Sequence, residues 1–207
     1  MEAHASCRLD DKVLKEMFHS LSPEAWRKVA EEQELHWWRE TNRFCGACGA
    51  ELKPHPNPTE RAMCCPSCGF RSYPKVMPAV IAVVVRTRPD GVEEILLQRN
   101  AHYGLPYWTL VAGFVDAGET FEEAVCREAK EESGIEVKNP RYFGSQAWPF
   151  PSNIMVAFTC EWASGELNPD GEEVTANGWF SRDDLPPLPR PGSIARRMID
   201  AWIARKV

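Results

Sequence analysis

No stretch of this chain is apolar over anything near the ~20 residues that a membrane-spanning helix requires, and the charged opening MEAHASCRLDDK carries no signal-peptide core. A cytoplasmic enzyme is therefore expected. Positive charge is in short supply too: Lys and Arg number 24 against 30 Asp and Glu, a formal net charge of −6. That balance argues against broad, nonspecific binding to nucleic acid, while leaving room for local basic patches and for bound metal ions that offset part of the acidity. Internal repeats and disordered tracts are missing as well. Cysteine is not scarce, at eight, but the spacing of a disulfide framework is absent. Five lie between Cys45 and Cys68, and Cys7, Cys126 and Cys160 are scattered singly as free thiols or packing residues. What is present, 207 residues with 43% hydrophobic content, suffices for a substantial core and fits one domain plus a small module.

The most informative stretch runs from Gly113 to Ile135, GFVDAGETFEEAVCREAKEESGI. It opens on a glycine-punctuated turn. Thr120 followed three residues later by Glu123 has the form of a capping box, which predicts a helix from about Phe121, and Gly134 ends it. At ~100° per residue, Phe121, Val125 and Ala129 share a side with Glu128 and Glu132, with Glu131 at its edge, while Glu123 and Lys130 point elsewhere. A glutamate-rich helix is ordinarily a solvated face. Here the carboxylates continue the apolar stripe, and at that spacing they would repel one another and lose solvation unless cations neutralised them. Hard oxygen ligands suit Mg²⁺ or Mn²⁺, and such ions can bridge a pyrophosphate, stabilise the charge developing on its oxygens and acidify an attacking water.

The same residues resemble the signature of the Nudix hydrolases, G-x5-E-x7-R-E-U-x-E-E-x-G-U with U aliphatic. Gly113, Glu119, Arg127, Glu128, Glu131, Glu132, Gly134 and Ile135 fall on it, and Ala129 fills the first aliphatic place with a small side chain. The resemblance implies an α/β protein, an α/β/α sandwich around a mixed sheet, that hydrolyses a nucleoside diphosphate linked to another moiety. It implies Glu128 and Glu132 as metal ligands, Glu131 as a base or further ligand, and Arg127 as the residue that orients Glu119 and ties the loop to the helix. It also implies a metal contact from the carbonyl of Ala112.

In chain order, residues 1–43 read as a helical segment, with Ser22-Pro23-Glu24 supplying an N-cap, a proline at the first helical position and an acidic first turn. Residues 44–73 read as a zinc ribbon. Cys45-Gly-Ala-Cys48 and Cys65-Pro-Ser-Cys68 are each followed by glycine, and four thiolates complete a closed tetrahedron that leaves no place for a catalytic water. Cys64 is the spare thiol, with pairing from Cys64 to Cys68 as the alternative. Residues 74–207 read as the catalytic domain: a buried β-branched strand at Ala79–Val85, a second at Glu94–Arg99, a third at Trp108–Val111, further strands at Val137–Phe143 and Ile154–Cys160, and a closing amphipathic helix at Ser193–Lys206.

Ser145-Gln-Ala-Trp-Pro-Phe-Pro-Ser-Asn153 carries a second resemblance, to the S-Q-P-W-P-F-P-x-S motif of the NADH pyrophosphatase branch of the Nudix family, also known as NAD-capped RNA hydrolases. Ala147 replaces a proline and Asn153 a serine. Taken alone, the loop is a rigid aromatic segment that either packs on its own core or offers Trp148 and Phe150 as flat surfaces and Gln146 as a reader of an amide or base edge. The branch resemblance implies the second, with Pro151 in the same loop. It also implies Phe114 and Tyr73 as stacking partners for the nicotinamide or adenine ring, Tyr73 from a partner subunit of a homodimer, and Met155, Glu60 and Ala195 as contacts. A further metal-binding glutamate is implied in the Asp170-Gly-Glu-Glu segment, and counting toward Trp179 favours Glu173 over Glu172; the other reading of that segment is an exposed acidic turn. The function so implied is metal-dependent hydrolysis of NADH or NAD⁺ to nicotinamide mononucleotide and AMP. The rivals are removal of the NAD cap from RNA, a broader hydrolysis of ADP-ribose and related compounds, and a noncatalytic RNA-binding role for the ribbon.

Overall fold

The computed structural model describes residues 9–100 and 107–207, so Cys7 lies outside the described residues. The chain forms two compact units: one runs through Val76 and includes Ala147–Asn153, and the other comprises Met77–Gln146 and Ile154–Val207.

In the first unit, α1 (Asp11–Ser20) and α2 (Pro23–Thr41) are each capped as their sequences dictate. Asp10 accepts from the Lys12 N–H, and Ser22 accepts from the Ala25 N–H ahead of a proline at the first position of α2. The helices close on Leu14, Trp26 and Ala30. The ribbon follows as three two-residue antiparallel strands in order β1 (Lys53–Pro54), β2 (Met63–Cys64) and β3 (Arg71–Ser72). Of the adjacent Trp37 and Trp38, it is Trp38 that is buried, and its indole N–H donates to Ser72 Oγ at 3.3 Å, which fastens α2 to the ribbon.

The second unit is a six-stranded sheet. Its order is β7 (Glu136–Trp148), β8 (Asn153–Ser164), β4 (Met77–Thr87), β5 (Glu93–Asn100), β9 (Val174–Ser181), with β6 (Val111–Phe114) also on β4. Alternation along the strands builds two cores. Val80, Ala82, Val84, Leu96, Val156 and Phe158 face α3 (Phe121–Ser133), while Ile81, Val83, Ile95, Leu97 and Ala157 face α4 (Ile194–Ile203). Both helices answer with the same spacing: Ala124, Val125 and Ala129 on α3, and Ile194, Ala195, Met198, Ile199 and Trp202 on α4. Each fully buried Val, Leu or Ile contributes about 1.5–3 kcal/mol to this α/β/α sandwich. No helix among the described residues is long and apolar enough to cross a membrane.

Strand β4 changes antiparallel partner along its length, pairing Val85–Thr87 with β5 and Ala79–Ala82 with β6. Here one expectation is corrected. The third strand is Val111–Phe114 and not Trp108–Val111, so Gly113 is itself a strand residue opposite Val80, and the turn comes later, around Asp116–Gly118. Thr109 keeps only a bridge to Gln98. Strand β9 had no counterpart in the sequence reading.

Candidate active site

Helix α3 begins where its sequence dictates. Thr120 and Glu123 form the reciprocal capping box, and Gly134 ends the helix in the left-handed conformation (φ +77°) that an L side chain rarely adopts. Between these stops, the side of α3 that packs on the sheet carries Ala124, Val125, Glu128, Ala129 and Glu132. Glu128 is 8% and Glu132 3% exposed, so both carboxylates are carried into the interior on the apolar stripe. Glu131, at the stripe's edge, has a side chain 60% exposed.

Arg127 organises the surrounding loop. Its Nε and Nη2 grip Glu119 in a fork at 2.6 and 2.9 Å, Nη1 donates to Glu128 Oε1 at 2.8 Å and Glu131 Oε2 at 3.0 Å, and Nη2 donates to the Phe114 carbonyl at 2.8 Å. Five bonds match the five N–H groups of a guanidinium. Glu119 also accepts from the Asp116 N–H, and with the Arg127 fork this holds its carboxyl down at about 2. Gly113 makes room for the pair: a Cβ there would lie 2.1 Å from Glu128 Cδ.

Glu132 lies deeper. Its Oε2 accepts from Gln98 Nε2 at 2.8 Å and from the Ala112 N–H at 3.3 Å. Burial, and then the charge of Glu128, push the Glu132 carboxyl up to about 8 despite those two donors. Burial also raises Glu128, against the pull of Arg127. The Glu173 carboxylate is near enough to raise both further, and Asp170 holds its segment by accepting from the Glu172, Glu173 and Val174 N–H groups. Oxygen donors with excess negative charge and little water are the set that a hard divalent cation satisfies.

Tyr73 and Phe114 are 51% and 52% exposed. Within the first unit, Trp148 meets Phe18 edge-on at 5.4 Å, and Phe150 lies 4.8 Å from Trp148 beneath Lys15, with Pro151 following through a cis bond. Ser152 Oγ donates to the Lys75 carbonyl, and Asn153 Nδ2 to that of Phe150. In the second unit, Gln146 is engaged at both ends, accepting from the Ile194 N–H at 2.7 Å and donating to the Gly192 carbonyl at 3.1 Å. Met155 and Ala195 belong to the core against α4. Glu60 sits in the ribbon loop beside His55 and Arg71. Gln98 was missed from sequence, although a polar residue in phase with Leu96 on a buried strand is a legible signal.

The ribbon cysteines converge. Cys45, Cys48, Cys65 and Cys68 bring their sulfurs within 4.8 Å of one another, the one such cluster of three or more metal-ligating side chains among the described residues. Sulfur separations of 3.7 Å (Cys45 to Cys68) and 3.4 Å (Cys48 to Cys65) fit the ~3.8 Å edge of a zinc tetrahedron with ~2.3 Å bonds. The two knuckles are built alike: Gly49 and Gly69 N–H groups donate to the Cys45 and Cys65 carbonyls, both glycines at φ +75°. Cys64 stays outside the quartet.

The family model for the NUDIX domain matches residues 76–202. The chain belongs to the NUDIX family. Among curated NUDIX relatives, it is 44% identical over 169 residues to the NAD-capped RNA hydrolase NudC of Pseudomonas aeruginosa (strain LESB58), covering 82% of this chain and 58% of that protein. It is 46% identical over 164 residues to the protein of the same name from Salmonella heidelberg (strain SL476), covering 79% and 61%. The chain thus spans about three fifths of the length of these relatives. A NUDIX hydrolase crystal structure from Nitrosomonas europaea shares the fold, with a TM-score of 0.63 at 22% identity over 79% of this chain and 92% of that one.

Proposed function

We propose that this NUDIX chain hydrolyses the pyrophosphate linkage of NADH or NAD⁺, free or as the cap of an RNA. Water attacks one phosphorus, the P–O–P bond breaks, and nicotinamide mononucleotide leaves AMP or a 5′-monophosphate RNA. The observation that carries the reading is the Glu128 and Glu132 pair, one helical turn apart and nearly closed off from solvent, with proton affinities raised by that burial. In this reading Glu128, Glu132 and Glu173 hold Mg²⁺ or Mn²⁺, with Glu131 and the Ala112 carbonyl as further ligands, and the ribbon cysteines hold zinc. The divalent ions, when bound, neutralise the phosphates and acidify the nucleophilic water.

The chain's own residues do the rest. Arg127 offsets part of the burial that raises Glu128 and donates to the carbonyl of Phe114, whose exposed ring at the end of β6 is suited to stack on a base or nicotinamide at ~1–3 kcal/mol. Glu131, solvent-accessible at the rim, serves in this proposal either as that further ligand or as the base that takes a proton from water. Tyr73 offers a second ring, across a homodimer boundary in this proposal. The names of the curated relatives support the capped-RNA form of the substrate. A broader ADP-ribose hydrolase is favoured by one observation, the engagement of Gln146 at both ends, which leaves its amide uncommitted to nicotinamide.

The test is competition among NADH, NAD⁺, ADP-ribose and NAD-capped RNA with Mg²⁺ or Mn²⁺. Preference for the two NAD forms and the capped RNA supports the proposal, preference for ADP-ribose supports the broader reading, and no turnover of any substrate defeats both.

A further inference from the structure

Gln98 is 2% exposed, on a strand whose neighbours Leu96 and Leu97 are wholly buried. A buried amide needs partners at both ends, since leaving one unmade costs about 1–3 kcal/mol. Ser133 Oγ donates to Gln98 Oε1 at 3.3 Å, and Nε2 donates to Glu132 Oε2 at 2.8 Å. The backbone beneath is fixed as well: the Gln98 N–H and carbonyl both pair with Thr109 at 2.8 Å. Because Ala112 N–H donates to the same Oε2, both of these chain donors fall on one carboxylate oxygen.

The geometry assigns Gln98 as a positioning residue that holds Glu132 by Oε2 and so presents Oε1 to the divalent cation. This rests on Glu132 being a metal ligand, as proposed above. Partners of a ligand that do not touch the metal fix its orientation, and their loss typically costs ~10–100-fold in metal affinity. Gln98→Met keeps the length and volume of the side chain while removing the N–H donor.

The experiment measures Mn²⁺ binding by electron paramagnetic resonance on zinc-loaded wild type, Gln98→Met and Glu132→Gln, beside thermal midpoints and NADH kinetics across Mn²⁺ concentrations. The expected result is Mn²⁺ affinity ~10–100-fold weaker in Gln98→Met, with KM for NADH unchanged and kcat largely recovered at saturating Mn²⁺. A folded Gln98→Met protein that binds Mn²⁺ as wild type does, while Glu132→Gln binds it poorly, overturns the role of Gln98 alone. Wild-type binding by Glu132→Gln overturns the underlying assignment of Glu132. Should Gln98→Met not fold, Gln98→Asn, which retains the amide but draws it back by one methylene, carries the same expectation and the same refutation.

Discussion

Gly113→Ala is the smallest change that tests the acidic pair. Gly113 lies in extended strand, with no left-handed conformation to demand a glycine; the demand is for space. An added Cβ would sit 2.1 Å from Cδ and 2.1 and 2.3 Å from the two oxygens of Glu128. Ordinary contact near ~3.5 Å requires the carboxylate to retreat by roughly 1.3 Å. Misplacement by about 1 Å costs on the order of 10²-fold in rate. Crowding of this kind costs about 1–3 kcal/mol of stability, and alanine returns ~0.4–1 kcal/mol by restricting the unfolded chain. The expected variant is therefore folded, with a thermal midpoint only a few degrees lower and kcat for NADH about 10²-fold lower at saturating Mn²⁺. A double-mutant cycle sharpens the test: the shorter side chain of Glu128→Asp withdraws from the new methyl, so Gly113→Ala/Glu128→Asp should be no slower than Glu128→Asp alone. Wild-type kcat and metal dependence in Gly113→Ala would refute the claim that Glu128 works from its place against this backbone.

Three further outcomes are expected. With zinc retained and no other divalent ion, Glu132 keeps its proton to about 8 in the folded state and loses it near pH 4.5 in the unfolded chain. Its contribution to stability is thus most favourable at low pH and declines by a few kcal/mol between pH ~4.5 and ~8; Mn²⁺ should flatten that slope in thermal melts, and a flat profile without Mn²⁺ would contradict the burial argument. Arg127→Lys keeps one charge but loses the fork to Glu119 and the bond to the Phe114 carbonyl, so activity should fall at least tenfold while proteolysis of the 114–120 loop quickens; unchanged cleavage would count against its role as an organiser. Cys68→Ser should release zinc and lower the thermal midpoint of the first unit, whereas Cys64→Ser should retain one zinc per chain, both read by metal analysis and Trp fluorescence.

Local codes were the legible part of this sequence. The ends of α3 follow from Thr120, Glu123 and Gly134, and the cysteine quartet from its two repeated knuckles, because each signal is complete within a few residues. Strand β9 stayed hidden because its residues, VTANGWFS, are mostly half-buried and alternate poorly. The shift of the third strand onto Gly113 is set by pairing with β4, which sequence spacing does not encode. The contact of Trp148 and Phe150 with the cluster around Phe18 joins positions about 130 residues apart, so no local pattern encodes it. Gln146 likewise finds Gly192 and Ile194 through tertiary structure.

Strand β4 serves α3 with its even-numbered residues and α4 with its odd-numbered ones. Inserting a single residue ahead of Val80 would exchange the two sets, sending Ile81 and Val83 toward the glutamates and unmaking both interiors at once. Point changes of similar volume along this strand should be absorbed, but a change of frame should not. Changes of length should therefore be tolerated at the hairpin after Thr87 and not within the strand that precedes it.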